Sequence, residues 1–138
     1  MALMILQLPS DHKTYEMTNS IIWFDENRIL YSMPKQTKPV VANMEEIQTE
    51  MDLIRDLCGN QKMCIIIESD PRNSSPPKEQ RDLISREITS VTKAMAILTS
   101  SPLSRMAAYL FFNFRPPEYP YAIFSDVAQA QKWIKKYL

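Results

Sequence analysis

The sequence predicts an α/β domain: a mixed β-sheet opened by an N-terminal hairpin and continued by βα units whose helices pack on the sheet. Three observations carry that expectation. Two β-rich apolar runs, residues 20–24 and 29–33, flank the polar segment Asp25-Glu26-Asn27-Arg28, which suits a hairpin turn. The run Met63-Cys64-Ile65-Ile66-Ile67 is apolar without alternation, as a central strand covered on both faces must be. Residues 93–138 read as strand, capped helix, strand and helix with few residues between them.

Taken in order, residues 1–13 form an extension whose Met4, Ile5, Leu6 and Leu8 either add an edge strand or stay loose. After the hairpin and a loop over 34–39, Asn43 and Glu46 have the N-cap and N3 spacing of a capping box. Met44, Ile47, Met51, Ile54 and Cys58 then keep helical period up to Gly59, the single glycine, placed where a left-handed C-cap is wanted. The central strand ends at Glu68, Ser69 and Asp70. Glu68 and Asp70 share a strand face by period two, and a solvated strand end is their expected place.

Residues 78–92 carry a narrower stripe, Leu83, Ile84, Ile88 and Val91, which predicts a surface helix whose N-cap falls at Ser75 or Pro76. A strand over 93–98 follows. Ser101-Pro102 then opens a helix with Leu103, Met106, Ala107, Leu110, Phe111 and Phe114 on one face, stopped by Arg115-Pro116-Pro117. Residues 121–124 give the last strand. Ser125-Asp126 caps a closing helix with the stripe Val127, Ala130, Trp133, Ile134, Tyr137 and Leu138. Connections of this length allow parallel crossovers.

The whole chain of 138 residues is read as a single domain. A chain of that size buries roughly two-thirds of its unfolded surface and needs no disulfide or structural metal to fold. Sixteen basic and sixteen acidic residues cancel and are scattered, which argues against nucleic acid as a partner. The apolar stretch over residues 2–8 is broken by Gln7 and has no basic residue before it, so neither a transmembrane segment nor a signal peptide is expected, and the location read is cytoplasmic. Cys58 and Cys64 sit on apolar patterns without CxxC spacing, and His12 is the lone histidine, so neither a metal site nor a histidine-based triad is expected. One glycine cannot write a P-loop, a GxGxxG turn or a nucleophile elbow. No catalytic constellation and no cofactor follow from these residues.

The order of elements resembles the STAS-like, SpoIIAA-like family of small bacterial proteins over residues 15–138. The residues that carry the likeness are Cys64 to Glu68, the arginine-bearing loop, Lys78 to Asp82, and Ala96 to Met106 with its Ser-Pro-x-Ser-Arg-Met piece. Further along, Phe124-Ser125-Asp126 and the closing Trp133-Ile134 add to it. That resemblance implies a mixed sheet with helices packed against it, related to anti-sigma factor antagonists and to the lipid-carrying Sec14 type. In the antagonists a kinase phosphorylates a serine at the N-terminus of the helix after the central strand. The equivalent stretch here, 70–77, lacks the glycine of that motif and holds two successive prolines, yet makes Ser74 and Ser75 candidate phosphorylation sites.

Two other candidate sites come from position. Strand ends and helix N-termini offer room for an anion or small polar ligand between Ser69, Asp70 and Arg72 on one side and Ser100, Ser101 and Arg105 on the other, against the plainer reading of ordinary caps with Arg72 and Arg105 in solvent or surface pairs. The aromatic surplus of Tyr109, Phe112, Phe114, Tyr119 and Tyr121 calls for cover, from a helix wedged into the core, from a dimer interface or from a hydrophobic, lipid-like pocket. The function expected is thus a non-catalytic interaction or signalling module that binds a protein partner or a second copy of itself. The alternative is a protein binding a small molecule or a lipid-like ligand.

Overall fold

The computed structural model describes residues 5–70, 72, 76–100 and 116–138. Strands β2 (Ser20–Phe24) and β3 (Leu30–Pro34) pair antiparallel, with Ile22 opposite Ser32 and Trp23 opposite Tyr31. Asp25 folds the turn between them, its Oδ1 accepting the N–H groups of Asn27 and Ile29 at 2.9 Å each. This is the local side-chain-to-backbone bonding that suits aspartate to turns. A three-residue strand, β1 (Thr14–Glu16), adds antiparallel to β2. Thr-Tyr-Glu is too short and too polar to show a period, and the sequence does not predict it.

From β3 onward the sheet is parallel. Helix α1 (Met44–Cys58) leads to β4 (Met63–Glu68), helix α2 (Lys78–Val91) to β5 (Thr92–Leu98), and β6 (Tyr121–Phe124) precedes α3 (Val127–Ile134) with a 3-10 turn, Lys135–Tyr137. The six strands lie in chain order across the sheet, and β3, β4, β5 and β6 are mutually parallel neighbours. Right-handed crossovers that keep stepping in one direction place their helices on one face. Accordingly α1 and α2 share a face and are tied by an ion pair between Arg55 and Glu87.

Strand alternation separates two cores. Met63 and Ile65 of β4 join Ile47, Met51, Ile54, Leu83 and Val91 beneath α1 and α2, whereas Cys64 and Ile66 join Ala130 and Ile134 of α3 with Trp23 and Tyr31. A sheet covered on both sides explains why β4 has no polar alternation.

The helix caps follow sequence with one correction. Asn43 and Glu46 form the capping box in both directions, and Gly59 ends α1 at φ 64°, ψ 34°. Asp126 caps α3 by accepting the Ala128 N–H at 3.0 Å. For α2 the N-cap is Pro77 and makes no side-chain hydrogen bond, not Ser75 or Pro76. Met44 and Leu138, expected on apolar stripes, are both exposed. Each lies at a helix boundary, where the stripe runs past the edge of the core. The helix expected over 102–114 lies outside the described residues.

Candidate functional site

The carboxyl ends of the parallel strands bring together part of the expected ligand site. At the end of β4, the Ser69 N–H donates to the Leu98 carbonyl at 2.9 Å and its hydroxyl donates to the same oxygen at 3.3 Å. Asp70 and Arg72 form a two-pronged pair, Nε to Oδ1 at 2.9 Å and Nη2 to Oδ2 at 2.8 Å. The guanidinium also donates to the backbone carbonyls of Lys35 at 2.6 Å and Gln36 at 3.3 Å. Its donors therefore tie the exit of β3 to the exit of β4. The hydrogen bond from Arg72 holds the Asp70 carboxyl below its usual range. Ser100 is exposed just beyond β5, while Ser101 and Arg105 lie outside the described residues, as do Ser74 and Ser75.

Because the strands follow chain order, β3 to β6 contain no reversal of direction across the sheet. The crevice that such a reversal opens in doubly wound sheets is absent among them. One polar atom at this edge is unusual. Thr99, buried just past β5, donates its N–H to the Phe124 carbonyl at 2.9 Å, while its hydroxyl has no hydrogen-bond partner among the described residues.

Of the aromatic interface residues, Tyr109, Phe112 and Phe114 lie outside the described residues. Tyr119 and Tyr121 are half-buried and pack against the core beneath α1 and α2. The Tyr119 hydroxyl rests 3.9 Å from the Met95 Sδ, and burial pushes its pKa up to about 12.

A surface that the sequence did not flag stands beside these ends. Residues 35–43, between β3 and α1, present Val40 and Val41 at 60% and 88% exposure, and Met44 continues the apolar strip. This segment has no regular structure, yet it is held at several points. The Asn19 side chain accepts the Val40 N–H at 2.8 Å and donates to the Val40 carbonyl at 2.7 Å. The Lys35 N–H donates to the Asn19 carbonyl at 3.0 Å. Gln80 of α2 donates to the Ala42 carbonyl at 3.0 Å, and Arg72 holds the far end. Next to it, Met44, Glu45, Gln48, Glu79, Asp82, Leu83 and Arg86 line an open groove of about 600 Å³ between the first turns of α1 and α2. Glu45 and Glu79 make no ion pair among the described residues. The available signal was a Val-Val pair outside any periodic segment, separated from the capping residue Asn43 by Ala42.

Fold and site together define an α/β domain with a six-stranded mixed sheet and three helices packed on it among the described residues. The chain belongs to the DUF7793 family, a domain of unknown function, whose profile matches residues 22–138. A crystal structure of a protein with unknown function from Arthrobacter sp. FB24 is similar over 82% of this chain and 90% of that one, at 18% identity and a TM-score of 0.27. No curated protein matches the chain. Among the described residues, no helix is long and apolar enough to cross a membrane, and no group of three or more His, Cys, Asp or Glu is placed to hold a metal ion.

Proposed function

We propose that this chain is a non-catalytic, cytoplasmic interaction module that docks a protein partner on residues 35–43 and the first turns of α1 and α2. One observation supports this above the others: Val40 and Val41 are exposed at 60% and 88% on a segment fixed by Asn19, Gln80 and Arg72. Apolar side chains held still in water have lost their backbone freedom before binding, so little further ordering cost opposes association. Glu45 and Glu79 beside them favour a partner that adds basic side chains to an apolar anchor. A signalling role is added by analogy with the STAS-like proteins that the sequence resembles, and fold alone does not imply function.

A photo-crosslinking amino acid at position 41, with a control at position 132 on α3, tests this in the native host. A discrete protein adduct at 41 and none at 132 is expected. With that protein purified, Val41→Asp should weaken binding at least about tenfold, or ~1.4 kcal/mol. An adduct with a second copy of the chain would make the partner the protein itself. Equal adducts at both positions, or none, would remove the docking surface.

A small-molecule or lipid-like ligand is the second reading, and the Thr99 hydroxyl favours it, because it is buried without a partner among the described residues and such a hydroxyl is uncommon unless something completes it. A metabolite, anion and lipid panel should then stabilise the wild type and not Thr99→Val. No thermal shift across the panel, or the same shift in both, would end this reading.

A further inference from the structure

Of the N-terminal extension, Ile5 and Leu6 neither add an edge strand nor stay loose, while Met4 lies outside the described residues. The N–H of Ile5 reaches both oxygens of Glu68, at 3.1 and 3.0 Å, and the N–H of Leu6 donates to Oε1 at 2.8 Å. Leu6 is 5% exposed and belongs to the core on the α3 face with Trp23, Ile66, Leu98 and Ile134. Glu68, expected at a solvated strand end, is 7% exposed on that same face, and these are its hydrogen bonds among the described residues. A carboxylate buried there without donors is costly, so the cleft requires an occupant that brings N–H groups.

What holds the occupant is simple chemistry. Glu68 reads two successive backbone N–H groups that the bend at Ile5 and Leu6 turns to one side, a conformation open to other non-proline segments, and the apolar core reads one leucine side chain. Beyond Leu6 the core contact ends, and the segment is next tied only by His12 to Glu26, among the described residues. Gln7 and Leu8 are exposed, and residues 7–13 have no regular structure before β1 begins at Thr14. The segment is thus a short anchor on an irregular tether, the kind of element that opens locally at low cost. The family profile also divides the contact. It matches residues 22–138, which include Glu68, Trp23, Ile66 and Ile134, whereas Ile5 and Leu6 precede it.

We infer that the cleft at Glu68 is a binding site for a short, bent apolar peptide segment, with Ile5 and Leu6 as its resident occupant. A partner's segment with two adjacent backbone N–H groups and a leucine-like side chain displaces them. This site lies on the opposite face of the sheet from α1 and α2 and stands independently of the docking surface above.

The probe is a labelled synthetic peptide of residues 2–9, titrated into the full chain and into the full chain carrying Leu6→Asp, which expels the resident segment. A site closed most of the time binds with its dissociation constant raised by the inverse of the open fraction, so the variant should bind at least about tenfold more tightly than wild type. A peptide N-methylated at the positions of Ile5 and Leu6 lacks both donors and should not bind. A folded Leu6→Asp chain that ignores the peptide, or binds it no better than wild type does, would overturn the inference. Should the variant unfold, amide exchange in the wild type decides. The Leu6 amide is expected to exchange at least about tenfold faster than that of Ile66, through local detachment, and equal rates would make the segment an inseparable part of the fold.

Discussion

The side-chain amide of Asn19 closes on the backbone of Val40 from both sides, its Oδ1 accepting the N–H at 2.8 Å and its Nδ2 donating to the carbonyl at 2.7 Å. The contact joins the start of β2 to a segment 21 residues later and substitutes for a β-bridge where no strand forms. Asn19→Ala should cost about 1 kcal/mol, because both backbone groups can turn to water once released. Urea unfolding measures that loss. Amide exchange should show protection lost at Val40 while Ile65 and Ile66 are unchanged, and retained protection would mean that Gln80 and Arg72 fix the segment without Asn19.

Gly59 ends α1 in the left-handed region at φ 64°, and its N–H reaches the carbonyls of Arg55 and Asp56. A Cβ there would meet nothing within 4 Å, so any penalty is conformational and not steric. Gly59→Ala should destabilise by about 1 kcal/mol. A fall in urea midpoint without a change of slope would confirm an effect on stability alone. Asn60, also at positive φ, 60°, shows that the chain stays left-handed for a second residue.

That helix also shows what was legible in the sequence. The capping box, the apolar period and the C-cap of α1 lie within one local window, and each is written in residue types that only a few conformations favour. The central strand was legible because a double-sided burial leaves no polar alternation. The candidate surfaces were not, because the contacts that shape them are between residues distant in the chain. Asn19 and Val40 are 21 residues apart, and Glu68 meets Leu6 across 62. No local pattern marks a glutamate that will be buried by its own N-terminus. Nothing in Thr-Tyr-Glu marks a strand that exists only because β2 offers it an edge.

Tyr31 is buried against Trp23, the rings parallel at 5.5 Å, and its hydroxyl donates to Asp25 at 3.2 Å while accepting from Gln131 of α3 at 2.9 Å. Burial chiefly pushes its pKa up to about 12, opposed by the Gln131 hydrogen bond and aided by Asp25. A phenol raised in the folded state contributes stability that is full below its ordinary 10 and lost as pH rises through about 12. Alkaline unfolding is therefore expected in that window. In a tyrosinate absorbance titration, Tyr31→Phe and Tyr119→Phe should each remove one late-titrating phenol, and removal of an early one would contradict this packing.

The Thr99 hydroxyl makes an opposite case, in which removal helps. With no partner among the described residues, it bears the desolvation cost of burial without the compensating bond. In the absence of ligand, Thr99→Val keeps the shape and should stabilise by about 1 kcal/mol. Thermal unfolding of the two chains decides it, and a destabilised variant would show that the hydroxyl is bonded in solution.

His12 links the N-terminal tether to the hairpin turn, its Nδ1 2.9 Å from Asp11 and its Nε2 3.1 Å from Glu26. Two carboxylates facing the two ring nitrogens favour the doubly protonated ring. The hydrogen bond to Glu26 is the main cause that lifts the His12 pKa above its ordinary 6.5, and the Glu26 carboxyl is held below its ordinary 4.5 by its backbone hydrogen bond and by His12. The signs differ for the two groups. Stability from His12 is full below 6.5 and disappears as pH rises through the raised value, whereas that from Glu26 is full above 4.5 and disappears as pH falls through the lowered one. The tether is thus fastened best between those ordinary values and loosens on the alkaline side first to its histidine. An NMR titration of the imidazole should give a midpoint above 6.5, and Glu26→Gln should move it down. A midpoint unmoved by that substitution would show that Asp11 alone holds the ring and that the tether is free of the hairpin.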